Sequence, residues 1–192
     1  MGHSQSQKQQ THERIVEVAA QRLCELGLEG LSIANLMKEV GLTHGGFYKH
    51  FESRDELVTE ALVYAFASTQ ARSAARATFQ AMVSAYLSKR HRDSPGNGCA
   101  VAAVVNDMGR AHEDARALYT EQVRKSLGTI GGLLGAADDA GHDAGAIVAL
   151  STMVGALGLA RAVDDPALSG KILASVQDFL LAQFDSASAR ND

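Results

Sequence analysis

The sequence has 192 residues, 46% of them hydrophobic, and carries a formal net charge of −4 at pH 7. That length suits one globular unit or a small domain joined to a larger one, and two prolines with many alanines favour helices and exclude a sheet. A polar N-terminus and the lack of an apolar run of about 18 residues exclude a secretory signal and a membrane span, so we expect a cytoplasmic protein.

The N-terminal quarter of the chain is predicted to form one longer helix and two short ones, separated by tight turns. Apolar residues recur at the helical period over residues 9–26, and Gly27 ends that first helix. Ser32 is a good N-cap for a second helix of barely two turns, which ends at Gly41. A third short helix over residues 43–50 begins with a threonine N-cap.

Long helices with few breaks follow. Ser53 with Glu56 in the third position after it is a capping box, which opens a long helix. The stretches RDSPGNG, residues 92–98, and GAADDAGHDAG, residues 135–145, predict loops from their Pro, Gly, Asn and Asp content. Further helices are predicted at about residues 99–109, 113–134, 144–163 and 166–184.

These elements predict an all-α protein of about nine helices in two parts. Residues 1–52 form a three-helix head, and residues 53–192 form a larger helical bundle, the body. Inside the head, two short helices joined by a turn at Gly41 make a helix-turn-helix.

A helix-turn-helix binds DNA by inserting the start of its second helix into the major groove. Gly45 and Gly46 destabilise that helix by up to about 1 kcal/mol each, and the missing side chains would let the backbone approach DNA closely. His44 could contact DNA or only cap the helix. The first residues and the outward face predict DNA contacts at Thr43, His44, Gly45, Gly46, Tyr48, Lys49 and His50.

The stretch GLTHGGFYKHFESRDEL, residues 41–57, resembles the signature G-x-s-x-g-x-x-Y-x-H-F-x-s-K-x-x-L of the tetracycline-repressor (TetR) family of bacterial transcriptional regulators. The resemblance extends from residue 12 to about residue 60. It implies an all-helical homodimer whose heads bind double-stranded DNA. It also implies a body that binds a small-molecule inducer and pairs through its last two long helices.

Carried over position by position, the resemblance also implies roles for single residues. Ser32 stands where the family often has a hydroxyl that touches the DNA backbone. Arg54 stands where the signature has Lys, and its charge would keep the contact with a phosphate. The remaining positions would face DNA, with the Tyr and the His on phosphates: Thr43, Gly46, Tyr48, Lys49 and His50.

Several polar residues lie on otherwise apolar helices of the body and could line an inducer pocket, although each could instead be solvated or paired with a charge. They are His91, Cys99, Asp107, Tyr119 and Arg161. Cys99 follows a glycine-rich turn, so it is either a reactive thiol or a small buried apolar residue. An aromatic fraction of 5% favours a modest apolar ligand over one held by aromatic stacking.

Motifs of catalysis are missing from the sequence. It has no G-x-S-x-G, no H-E-x-x-H and no Cys/His spacing typical of a metal site, and the paired acids Asp138/Asp139 and Asp164/Asp165 separate helices. We therefore predict no catalytic residue, no metal and no cofactor.

The sequence favours a ligand-responsive repressor that binds a pseudo-palindromic operator as a dimer and is released by an inducer. Three alternatives stay open: an activator, a thiol-switched repressor that uses Cys99, and a helical small-molecule carrier with a non-functional head. The affinity of a regulator for DNA falls steeply with salt, whereas a carrier has no such dependence.

Overall fold

The computed structural model describes residues 2–135 and 144–188, which contain nine α-helices, two short 3-10 helices and no strand. The all-α prediction is confirmed for this part of the chain. The α-helices are α1 Gly2–Gly30, α2 Ile33–Glu39, α3 Arg54–Ala74, α4 Phe79–Tyr86, α5 Lys89–Asp93, α6 Ala100–Met108, α7 Glu113–Leu133, α8 Ala144–Ala162 and α9 Pro166–Ser188. The 3-10 helices are His44–Lys49 and Pro95–Asn97. Most of the loop predicted over residues 135–145, with its paired acids, lies outside the described residues.

The first helix is longer than predicted at both ends. Residues 5–10 are exposed and bury nothing, but Gln and Lys are good helix formers and extend the helix before Gln9. The predicted end at Gly27 is a kink, since its φ of 73° and ψ of −178° are angles that only glycine adopts readily. A last turn then reaches Gly30.

The turn between the two short helices of the head forms as predicted. Ser32 Oγ accepts a hydrogen bond from the N–H of Asn35 at 3.4 Å and caps α2. Gly41 adopts a φ of 78°, which a side chain would resist. The N–H of Leu42 donates to the carbonyl of Met37 at 2.8 Å and closes the turn.

The third helix of the head, residues 43–50, is called the recognition segment below. It is a 3-10 helix, because the N–H of Gly46 donates to the carbonyl of Thr43 at 2.9 Å and that of His50 to Phe47 at 2.9 Å. Two adjacent glycines and a length of six residues disfavour a full α-helix. Thr43 occupies the N-cap position, but its side chain makes no capping hydrogen bond, contrary to the prediction.

The capping box at the start of α3 is present. Ser53 Oγ accepts from the N–H of Glu56 at 3.1 Å, and the Glu56 carboxylate accepts from the N–H of Glu52. These bonds satisfy backbone donors that the first turn of a helix leaves free, and they fix the direction in which α3 leaves the recognition segment.

A continuous hydrophobic core connects the head with the body. Phe47 and Phe51 stack with ring centroids 5.3 Å apart and are buried together with Leu57 of α3. The same cluster continues through Val101 and Val104 of α6. The predicted boundary after residue 52 is thus bridged by packing, so a movement of α6 can reach the head.

A second core lies among α4, α7, α8 and α9. Its buried side chains include Val83, Met153 and Leu180. The loop predicted at residues 92–98 is shorter than expected, because its first two residues end α5 and Pro95–Asn97 form a 3-10 turn. Ser88 caps α5, with its Oγ accepting the N–H of His91 at 3.2 Å.

One helix of the described chain, α8, is long and apolar enough to cross a membrane, with a mean hydropathy of 1.6 over Ala144–Ala162. The expectation that no apolar run reaches the length of a membrane span is therefore wrong for α8. One side of α8 packs into the second core, where Met153, Ala156 and Leu157 are buried. Its other side is exposed and still carries Val148 and Leu159.

Candidate nucleic-acid interface

The recognition segment has one buried and one exposed face. Phe47 is fully buried and anchors the segment, while Tyr48 is 66% exposed and contacts the Phe47 ring edge-on, with centroids 5.2 Å apart. Thr43, His44 and Lys49 are also exposed. Buried Phe47 therefore holds Tyr48 and Lys49 outward, and the polar groups of these two side chains stay exposed.

The glycines of the segment are not required by packing within the chain. A Cβ at Gly45 would meet no atom within 4 Å, and a Cβ at Gly46 would make only ordinary contacts, at 3.6 Å from Thr43 Oγ1. Both positions would accept alanine inside this chain, which would also favour a helix. An external partner that approaches the backbone closely would explain why side chains are missing here.

A histidine pair lies behind the recognition segment. His50 Nδ1 is buried and has no hydrogen-bond partner in the described chain. Burial lowers the pKa of His50, as do the nearby charges of His12, Lys8 and Lys49. His12 of α1 binds Glu60 of α3 at 2.7 Å, and its ring lies 6.1 Å from that of His50.

His12 is a residue that sequence reasoning missed. Its ring also stacks on Phe51 at a centroid distance of 4.5 Å, so it supports the buried side of the signature. Only its place on the inner side of α1 could have suggested this role, and an isolated histidine on a helix predicts no partner.

Arg54 takes part in a contact between α3 and the end of α1. Its guanidinium donates from Nη2 to the carbonyl of Leu28, whose N–H donates in turn to Asp107 Oδ2 at 3.0 Å. We call Arg54, Leu28 and Asp107 the head–body joint, since they connect α3, the end of α1 and α6. The phosphate role carried over to Arg54 stays a prediction, which the remaining donors of the guanidinium would have to fulfil.

Comparison with known proteins supports the same assignment for the head. The family described as bacterial regulatory proteins, tetR family, matches residues 15–61, which include the helix-turn-helix and the start of α3. The head of this chain therefore matches the TetR family over residues 15–61. A curated relative, the HTH-type transcriptional regulator Mb1846 of Mycobacterium bovis, is 32% identical over 66 residues. That match covers 34% of this chain and 28% of the relative.

Solved structures of TetR-family proteins share the fold over almost the whole chain. A TetR transcriptional regulator from Chloroflexus aurantiacus has a TM-score of 0.76 at 23% identity, covering 93% of this chain and 97% of its own. AibR, solved in complex with isovaleryl coenzyme A and operator DNA, has a TM-score of 0.63 at 16% identity, covering 88% and 97%. At these identities the likeness establishes the fold alone.

Three of the five predicted pocket residues converge in the body. His91 Nε2 accepts from the N–H of Cys99 at 2.9 Å, and Arg161 Nη2 donates to the carbonyl of His91 at 2.7 Å. Tyr119 lies one helix further, where its hydroxyl donates to the carbonyl of Val101 at 3.3 Å. Asp107 lies apart from them in the head–body joint.

The surroundings of Cys99 include groups that the sequence did not single out. Burial raises the pKa of Cys24 to about 11, and the charge of Cys99 acts in the same direction, so the two thiols are near each other. Burial also raises the pKa of Tyr86, whose hydroxyl lies beside Cys99. Neither Cys24 nor Tyr86 stands in a motif, and only the fold brings them to Cys99.

Proposed function

We propose that the chain is a dimeric, ligand-responsive repressor that binds a pseudo-palindromic DNA operator. The observation that carries the proposal is the recognition segment, where buried Phe47 holds exposed Tyr48 and Lys49 outward. A dimer would place two such segments in major grooves about one helical turn, or a multiple of it, apart. Such a regulator would act in the cytoplasm, without a membrane partner.

The proposed contacts divide into phosphate and base contacts. The Tyr48 hydroxyl and His50 would bind phosphates, and Lys49 would add a positive charge. Ser32 accepts the capping hydrogen bond, so its hydroxyl hydrogen stays available for a phosphate oxygen. The opening residues of the segment would lie nearest the base edges: Thr43, His44 and Gly46.

The proposed dimer interface is the exposed side of α8 and α9. Leu159 of α8 is 59% exposed and Phe179 of α9 is 55% exposed, which is unusual for side chains of this size. A Cβ at Gly155 would meet nothing within 4 Å, so α8 presents an open surface there. A second copy of α8 could pack closely against it, which supports pairing through the last two long helices.

The head–body joint offers a mechanism for the ligand response. Asp107 of α6 accepts from the N–H of Leu28 and Arg54 of α3 donates to its carbonyl, so a shift of α6 would pull directly on the end of α1. A ligand in the body would change the distance between the two heads by this route. It can do so only if it binds the two arrangements with different affinity.

Burial disfavours the thiol-switched alternative. Cys99 is 8% exposed and Cys24 is similarly buried. A thiol reacts as the thiolate, and burial in apolar surroundings opposes that charge.

The test is DNA affinity of head variants measured on folded dimers. Tyr48→Ala and Lys49→Ala should each weaken operator binding about tenfold, and Lys49→Ala should also reduce the salt dependence by about one counterion. Lys125→Ala is the matched control, because Lys125 is an exposed lysine of α7 far along the chain from the head. Unchanged affinity in both head variants would refute the assignment of the recognition segment.

A further inference from the structure

The interior of the body contains a half-buried guanidinium that has no acidic partner among the described residues. Arg161 of α8 donates only to backbone carbonyls, from Nη2 to His91 at 2.7 Å and from Nε to Arg92 at 3.1 Å. Burial lowers its pKa, and the groups that oppose this effect are Tyr86, Cys99 and Cys24 rather than carboxylates. A partly desolvated charge gains most from an anion.

Three acids line the same cleft as this guanidinium, and each is already paired or exposed. Glu25 of α1 is bound by Arg22, and Asp93 of α5 is bound by Arg92 with an N–O distance of 2.6 Å. Asp164 is exposed at the rim. None of them neutralises Arg161, so its countercharge has to come from outside the described chain.

A cleft of about 560 Å³ opens at Arg161, between α1, α6, α8 and the start of α9. This volume lies in the range of small-molecule sites, roughly 300–1,000 Å³. Much of its wall is small and apolar, formed by Cys24, Ala102, Ala103, Gly158, Ala160 and Val163. A cation in a cleft with such walls suits a molecule with one anionic group and an apolar tail.

A second polar group, the Tyr86 hydroxyl, is buried near Arg161 and does not line the cleft. No nitrogen or oxygen partner is found for it in the described chain, and the Cys99 thiol lies beside it. The Tyr86 ring contacts His91 edge-on at 4.7 Å, and its hydroxyl interacts electrostatically with Arg161. An orphaned buried hydroxyl is costly unless a ligand or water satisfies it.

Gly98 packs closely against two of these groups. A Cβ at this position would come within 3.0 Å of both Arg161 Nη2 and His91 Nε2. The imidazole is held neutral, because Nδ1 donates to the carbonyl of Tyr86 at 2.7 Å while Nε2 accepts from Cys99. The free polar groups around this point are therefore donors, which select for an acceptor.

We propose that the cleft binds a small aliphatic carboxylate, with its carboxylate on Arg161 and its tail along Ala102 and Ala103. The assignment of this molecule as the inducer rests on the proposed repressor function. α6 begins directly after Cys99 and carries Asp107 near its other end, so binding here acts on the helix that holds the head–body joint.

The test is calorimetric titration of the DNA-free protein with butyrate, hexanoate and octanoate. Two probes separate the parts of the ligand: 1-hexanol has the apolar tail without the charge, and inorganic phosphate has the charge without the tail. At least one carboxylate should bind at least about tenfold more tightly than either probe, since a charged hydrogen-bonded contact is worth that much or more. Equal binding of hexanoate and hexanol, equal binding of phosphate, or no binding of any carboxylate would overturn the proposal.

Variants locate the site. Arg161→Gln should weaken the tightest carboxylate about tenfold, and Arg161→Lys should recover part of the loss. Arg116→Gln, at an exposed arginine of α7 outside the cleft, should change nothing. Tyr86→Phe should also leave the affinity unchanged, because Tyr86 does not line the cleft. Wild-type affinity in Arg161→Gln would refute the contact with Arg161.

The same preparations separate this proposal from the repressor function. Operator affinity is measured without carboxylate and then with it. DNA binding without carboxylate binding would overturn the carboxylate site alone. Carboxylate binding by a folded dimer that recognises no DNA would support the site and overturn the repressor function.

Discussion

Replacing Gly27 by alanine tests the geometry of the head–body joint. Gly27 combines a φ of 73° with a ψ of −178°, a region essentially restricted to glycine. An added Cβ would also lie 2.7 Å from Asp107 Oδ2, closer than real contacts allow. The carboxylate would have to move away and release the N–H of Leu28, which it now accepts at 3.0 Å.

The two effects add to a sizeable loss of stability. Backbone strain of this type costs about 1–3 kcal/mol. Loss of a part-buried hydrogen bond to a charged acceptor costs about 1–2 kcal/mol more. Gly27→Ala should therefore lower the free energy of unfolding by about 2–5 kcal/mol, which corresponds to a Tm roughly 5–15 °C lower for a chain of this size.

The assay is urea unfolding at fixed protein concentration, because the stability of a dimer depends on concentration. Gly132→Ala in α7 is the matched control: its Cβ would meet nothing within 4 Å, and alanine should stabilise the helix by about 0.5–1 kcal/mol. The two identical substitutions should thus have opposite signs. A free energy for Gly27→Ala within about 0.5 kcal/mol of wild type would refute the account of the joint.

Three further predictions concern other parts of the chain. Ser53→Ala removes the cap of α3 and should lower the free energy of unfolding in urea by about 1 kcal/mol. A variant as stable as the wild type would contradict the capping role. His91 is held neutral by its two backbone partners, and burial lowers its pKa from the ordinary value of 6.5, so the unfolded chain binds the proton more readily. The neutral His91 should therefore contribute fully to stability above the unfolded pKa, and this contribution should decrease as the pH falls through 6.5 toward the folded pKa. Urea unfolding at several pH values measures this change. His91→Gln should lose that part of the pH dependence, and His112→Gln, at an exposed histidine, is the control. Phe179→Glu should convert the dimer to a monomer in light scattering, and an unchanged dimer would place the interface elsewhere.

Local chemistry made much of the fold predictable. Ser32 and Ser53 accept the capping hydrogen bonds expected of them, and Gly41 takes the positive φ that the turn requires. The predicted bounds of α7 and α8 also differ from the observed ones by a single residue at one end. These features depend on a few neighbouring residues, so the sequence pattern contains what determines them.

Contacts between distant residues were beyond the sequence pattern. Arg54 reaches back 26 residues to Leu28, and Leu28 reaches forward 79 residues to Asp107. The orphaned Tyr86 hydroxyl likewise depends on which side chains surround it. Such partners are set by the packing of helices. Residue type and spacing therefore show that Arg54 and Asp107 are charged, but they do not predict that both bind Leu28.

The secondary structure of the recognition segment also escaped prediction. Its polar and apolar positions fit an α-helix. The six residues, which include Gly45 and Gly46, instead form the hydrogen bonds of a 3-10 helix, from the N–H of residue i+3 to the carbonyl of residue i. The outward direction of Tyr48 nevertheless follows from burial of its neighbour Phe47 in either helix type.

Selection of double-stranded DNA from a random-sequence pool by the purified protein, followed by anisotropy titration at two salt concentrations, tests the central claim most directly. The account predicts enrichment of a two-fold symmetric site and an affinity for it that falls steeply with salt and survives unrelated competitor DNA. A folded dimer that enriches no sequence, and whose weak binding is lost to competitor, would contradict the assignment of the chain as a sequence-specific regulator.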